Sequence, residues 1–142
     1  MSLFSKPTIY VSHAIRGTNG DMEGNCAKAI KCVAKLRALF PEINFYLPAD
    51  SDLVLQILFN SKKLSEKDIL WADLEILKNC HGWIFLHFDE SKGSEIERAE
   101  AQRLGLPMFD IVDRVDRMNY GRIRKRFTDI IEQTKKFYKE NK

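Results

Sequence analysis

The sequence predicts an α/β fold, with a doubly wound parallel sheet of about four to five strands and helices on both faces. Three observations carry this expectation. Short apolar runs rich in β-branched and aromatic residues alternate with stretches of helical periodicity, which is the pattern of successive βαβ units. The run Trp83 to Phe88 (WIFLHF) is almost continuously apolar, as a central parallel strand covered on both sides requires. The 142 residues and 16.5 kDa, 44% hydrophobic and 30% charged, suit one domain spanning residues 1–142 around one core. The same composition excludes a disordered chain, a collagen-like repeat and a disulfide-dense miniprotein.

In chain order, Thr8 to Ala14 (TIYVSHA) is the first strand, followed by the turn residues Gly17, Thr18, Asn19 and Gly20. Met22, Cys26, Ala29, Val33, Leu36 and Phe40 then recur at steps of three and four, one stripe of an amphipathic helix that Pro41 ends. Asn44 to Ala49 is a short second strand whose Pro48 suits a strand end, and Ser51 to Ser61 is assigned to a further helix. Ser65 and Asp68 have capping-box spacing, and Ile69, Ile76, Leu77 and Cys80 form the helical face behind them, with Gly82 as the expected stop. After the central strand come a turn at Asp89 to Gly93, a helix at Ser94 to Leu104 and a strand at Pro107 to Val112. A closing helix carries Ile123, Phe127, Ile130, Ile131, Thr134, Phe137 and Tyr138 as its stripe. This is a Rossmann-like arrangement, in which ligands sit beyond the carboxyl ends of the strands near the topological switch point. The loops His13 to Gly20, Pro48 to Asp52 and Asp89 to Glu97 are therefore the places to look for function.

No apolar run approaches the roughly 20 residues that span a bilayer, and Met1 to Lys6 lacks the regions of a signal peptide, so a cytoplasmic protein without membrane contact is expected. Cys26, Cys32 and Cys80 match neither a paired metal motif nor a disulfide framework and are read as reduced, partly buried thiols. His13, His81 and His87 have no ligand spacing, so no metal and no cofactor is expected. The net charge of +3 is uneven: Arg117 to Lys142 holds nine Lys or Arg and three Asp or Glu, a basic tail on a slightly acidic body. A solvated helix face accounts for that tail more simply than a nucleic-acid partner does.

Two carboxylates stand out. Asp73 follows Ile69 by four residues and precedes Ile76 by three, which places it on the apolar face of its helix, where a carboxylate needs a partner or a shifted pKa. A rim position, or pairing with Lys or Arg, is the ordinary alternative. Glu97 follows Ser94 at the S-x-x-E spacing of a capping box, yet it shares a helix face with Ala101 and Leu104 and so also fits a side chain aimed at the sheet. Ser91, Lys92, Gly93 and Ser94 before that helix suit an anion such as phosphate, with Arg16 as a further contact, whereas the spacing excludes a Walker A motif and GxGxxG.

Taken together, these segments resemble the nucleoside 2-deoxyribosyltransferase superfamily, especially its 2′-deoxynucleoside 5′-phosphate N-hydrolase branch, over roughly Thr8 to Asp113. The similarity lies in Tyr10 to Gly17 (YVSHAIRG), in Asp73-Leu74-Glu75 with Leu77, and in Ser91-Lys92-Gly93 through Glu97, Ala101, Gly105 and Pro107. The separation of 24 residues between Asp73 and Glu97 matches the branch without a gap. The resemblance implies that Glu97 is a nucleophile toward C1′ of a sugar, that Asp73 orients the departing base or assists its protonation, and that Tyr10 holds the nucleophile. It places Ile15, Arg16, Gly17, His13, Ser91 and Gly93 around the substrate, with Ser91, Gly93 and Arg16 at its 5′ end. It implies a homodimer with a shared active site, to which Asn119 or Arg122 near the start of the last helix contributes.

The chain departs from the branch at several positions. His13 stands for a glycine, Ala14 for a phosphate-contacting serine and Ala99 for a glycine, while Pro48 falls where a histidine after the second strand is usual, leaving base recognition unassigned. The expected activity is cleavage of the N-glycosidic bond of a nucleoside 5′-monophosphate. Base exchange on unphosphorylated deoxynucleosides is the alternative, and a non-catalytic nucleotide-binding module is a second.

Overall fold

In the computed structural model, which describes residues 6–14, 20–51, 57–58, 60–87, 92–111 and 120–140, four strands form one all-parallel sheet. They are β1 (Thr8–His13), β2 (Asn44–Tyr46), β3 (Gly82–Leu86) and β4 (Met108–Ile111), in the spatial order β2-β1-β3-β4. The α-helices between and after them include α1 (Met22–Leu39), α2 (Glu66–Leu77), α3 (Lys92–Arg103) and α4 (Tyr120–Glu140). No helix among the described residues is long and apolar enough to cross a membrane.

Strand alternation divides the core into two layers. Ile9, Val11, Ile84 and Leu86 face α1 and α4, where they pack with Val33, Leu36, Phe127 and Ile130. Phe127 is the hub of that layer, with ring centroids 4.7 Å from Phe40, 5.5 Å from Phe45 and 5.4 Å from Phe109. Tyr10, Trp83 and Phe85 face the other way, against Leu77 at the end of α2, Cys80 in the turn after it and Ala101 on α3. The apolar stripe of α4 is thus consumed by the chain's own core, with Ile123, Phe127, Ile130, Ile131 and Thr134 all buried. Phe137 and Tyr138 of that stripe lie in α4, but their side chains are not among those described.

The element edges differ from the sequence expectation in instructive ways. Asp21 caps α1 by accepting from Gly24 N at 3.0 Å, and a Cβ on Gly24 would sit 2.1 Å from the Asp21 carboxylate, so the glycine makes room for the cap. β2 stops at Tyr46 and Pro48 opens a 3₁₀ turn, Pro48–Ser51, because proline has no N–H to continue a ladder. The helix expected over Ser51 to Ser61 falls mostly outside the described residues, although Ile57, Leu58 and Asn60 are helical. The Ser65–Asp68 capping box is present, with Asp68 N donating to Ser65 Oγ at 3.2 Å and Ser65 N to Asp68 Oδ2 at 3.0 Å. Gly82 does not stop α2, which ends at Leu77. It opens β3 instead, where a Cβ would lie 3.1 Å from Ile130 Cδ1. His81 leads into that strand by donating its N–H to Thr8 O at 2.7 Å and accepting from Thr8 N on Nδ1 at 3.0 Å.

The chain passes from β1 outward to β2 and then crosses back to β3 on the other side of β1, so the topological switch lies between β1 and β3. At their carboxyl ends Ser12 is level with Phe85 and His13 with Leu86.

Candidate active site

The period of two along β1 puts Tyr10 and Ser12 on the same sheet face, beneath the first two turns of α3. Ser94 and Glu97, three residues apart on α3, come down onto them, and all four are buried. Tyr10 donates its phenolic hydrogen to Glu97 Oε2, and Ser12 Oγ donates to Oε1 at 2.6 Å. Ser12 Oγ and Ser94 Oγ are 3.0 Å apart. With the single proton of Ser12 committed to the carboxylate, Ser94 is the donor of that pair, giving a chain Ser94 to Ser12 to Glu97. Ser94 is the third residue of α3 rather than its cap, because the helix begins at Lys92; the capping-box reading of Ser94 and Glu97 is therefore replaced by a tertiary one.

Glu97 is 8% exposed. Burial pushes its carboxyl above the usual range, against the two hydroxyl donors, Ser12 and Tyr10, which pull it down. The Tyr10 phenol is pushed well above its ordinary value by burial, then by the charges of Glu97 and Asp73, so it remains a donor. Asp73 on α2 is partly buried and forms no ion pair with Lys or Arg among the described residues. Burial, and after it the Glu97 charge, pushes Asp73 up from 3.8 to about 7. Two nearby carboxyls in different settings thus offer one group fixed by two donors and one that exchanges a proton near neutrality.

The sequence led to Glu97, Asp73 and Tyr10, and the fold brings these three together. It missed Ser12 and Tyr46. Ser12 had a signal: a hydroxyl two residues after Tyr10 in an otherwise apolar strand shares that tyrosine's face. Tyr46 is the last residue of β2 and the register partner of Tyr10, and its ring lies tilted at 45° to that of Tyr10 with centroids 5.4 Å apart. His13 is buried at the end of β1 on the opposite parity to Tyr10 and Ser12, toward α1, with Nδ1 2.9 Å from Ala14 O. Gly93 lies in the first turn of α3 rather than in a loop. Ile15, Arg16, Gly17, Ser91 and Asn119 lie outside the described residues, and Arg122 is exposed on the first turn of α4.

Among the described residues no group of three His, Cys, Asp or Glu side chains is arranged to hold a metal ion. Cys26, Cys32 and Cys80 are buried and unlinked, and burial pushes the Cys32 thiol up to about 11 and the Cys80 thiol up to about 12, which keeps both protonated. Comparison of the chain with protein-family models, curated proteins and solved structures finds no match.

Proposed function

We propose that the protein is an enzyme that cleaves the N-glycosidic bond of a nucleoside 5′-monophosphate, with a deoxynucleotide as the favoured substrate. The observation that carries this reading is the buried Glu97 carboxylate at the topological switch, held by Tyr10 and Ser12 beside an Asp73 whose pKa stands near 7. A carboxyl that only capped a helix would need neither hydroxyl donor. The resemblance of the surrounding segments to the nucleoside 2-deoxyribosyltransferase superfamily supports the same reading.

In the first step a Glu97 oxygen attacks C1′ of the sugar while the C1′–N bond breaks, and the proton of Asp73 passes to the departing base. The Tyr10 and Ser12 hydroxyls fix the carboxylate and keep its attacking lone pair oriented. In the second step Asp73, now ionised, takes a proton from water as that water attacks C1′ and Glu97 leaves. Two displacements at C1′ give net retention. The reading includes a cytoplasmic homodimer working without a cofactor, in which Asn119 or Arg122 of one copy completes the pocket of the other, and Arg16, Ser91 and Gly93 hold the 5′ end.

Incubation with dCMP, dGMP and the matching nucleosides, with and without an acceptor base, tests the proposal by its products. Free base and sugar phosphate are expected from the monophosphates, and Glu97→Ala should abolish them; full activity in that variant would refute the mechanism. The second reading, base exchange on unphosphorylated deoxynucleosides, is favoured by Ala14, which is fully buried and offers no hydroxyl to a phosphate. An exchanged nucleoside as the product would select it. Nucleotide binding with no turnover would instead select a non-catalytic module.

A further inference from the structure

We infer that Tyr46 is the base-side contact of this site: its ring walls the leaving base and its hydroxyl donates to the acceptor next to the glycosidic nitrogen, O2 of a pyrimidine or N3 of a purine. The inference rests on the proposed glycosidic cleavage and extends it to the base, for which the motifs supply no reader.

The geometry begins with the register of the sheet. Tyr46 is level with Tyr10, their rings touch, and the Tyr10 hydroxyl is on Glu97, so Tyr46 stands beside the nucleophile one strand farther from the switch point. It is partly buried against the layer of Tyr10, Leu77 and Trp83. Among the described residues its hydroxyl has no hydrogen-bond partner, and that oxygen is not one of the buried orphans, so it opens outward instead of being sealed in the core.

The two acids locate it further. Glu97 acts more strongly than Asp73 on Tyr10, whereas Asp73 acts more strongly than Glu97 on Tyr46. Tyr46 lies on the β2 side of Tyr10, within reach of the Asp73 charge, and the group that protonates the departing base must also lie at the base. Burial, with Asp73 the largest of the neighbouring charges, pushes the Tyr46 phenol up to about 12, so it donates throughout the working range. A donor placed there complements the negative charge that builds on the base as the C1′–N bond breaks. Because O2 and N3 occupy the same place relative to the bond, Tyr46 assists departure without choosing among bases.

The test is Tyr46→Phe, which removes the hydroxyl and keeps the ring. The variant is expected to keep the wild-type thermal midpoint and to lose about tenfold or more in kcat on both dCMP and dGMP, with KM within about twofold. The loss should shrink for 5-fluoro-dUMP relative to dUMP, since the fluorinated base leaves more readily. Wild-type kcat in Tyr46→Phe, a loss confined to one base, or an equal loss on dUMP and 5-fluoro-dUMP would each overturn the assignment. Should the variant be less stable, kcat on dUMP and 5-fluoro-dUMP is compared at a temperature well below its thermal midpoint, and wild-type kcat there, or equal losses on the two substrates, would overturn it. Wild-type protein that turns over none of these nucleotides is the separate result that refutes the glycosidic reading itself.

Discussion

Asp73→Asn is expected to make the protein more stable and less active, and the stability half of that statement needs no substrate. In the folded chain burial, and then the Glu97 charge, lifts the Asp73 carboxyl from 3.8 to about 7. The raised value means that folding favours the protonated form. The associated stability is fully present below pH 3.8 and is lost as the pH rises through about 7, because the unfolded chain ionises freely while the folded chain resists. At about 1.4 kcal/mol per unit, the loss between pH 5 and pH 8 comes to about 2–3 kcal/mol. Asparagine keeps the shape and has no proton to release, so it does not share this loss. Urea unfolding of both proteins at pH 5 and pH 8 measures the effect. The stability difference in favour of Asp73→Asn should grow by about 2–3 kcal/mol over that interval. Parallel stability curves for the two proteins would refute the placement of an ionisable group in a desolvated position beside Glu97. In the glycosidase assay the same variant should lose about 100-fold or more, the usual contribution of a general acid. A gain in stability joined to a loss in activity marks a residue whose position serves chemistry at the expense of folding.

Three further outcomes follow from the packing and the hydrogen bonds. Ser12→Ala removes the 2.6 Å donor to Glu97 together with the 3.0 Å contact to Ser94; it should cost about 1–3 kcal/mol in denaturant unfolding and move the ionisation limb of Glu97 to higher pH in the activity profile, with Tyr10→Phe acting in the same direction. Phe127→Ala deletes the ring shared by Phe40, Phe45 and Phe109 and should lower stability by about 3–5 kcal/mol, read as a fall in Tm with an unchanged catalytic pH profile. Gly82→Ala places a Cβ 3.1 Å from Ile130 Cδ1, the tip of a flexible side chain, so the cost should stay near 1 kcal/mol or less and be relieved when combined with Ile130→Val in a double-mutant cycle.

What could be read from the sequence, and what could not, follows the range of the interactions involved. The alternation of apolar runs and helical stripes is local information, and it was enough for the parallel sheet, the helices on both faces and the residues of α1 and α4 that face the core. The strand ends were set by events that periodicity does not carry. β2 gives way at Pro48, which cannot donate to the ladder, and β3 begins one residue early, at Gly82, which pairs with Ile9 of β1. The candidate site divides along the same line. Asp73 was visible as a carboxylate on an apolar helix face, since one helix suffices to define that face. Glu97 was ambiguous because a capping pair and a pair aimed at a sheet share the spacing of three residues; the choice depends on where the helix starts. Starting α3 at Lys92 carries Ser94 inside the helix and frees its hydroxyl for Ser12. The decision thus rests on the strand opposite, in the Tyr10 and Ser12 hydroxyls that repeat with a period of two beneath the acid. Tyr46 could not be seen in this way at all. Its position depends on the register of β2 against β1, a relation between segments more than thirty residues apart that only the assembled sheet defines.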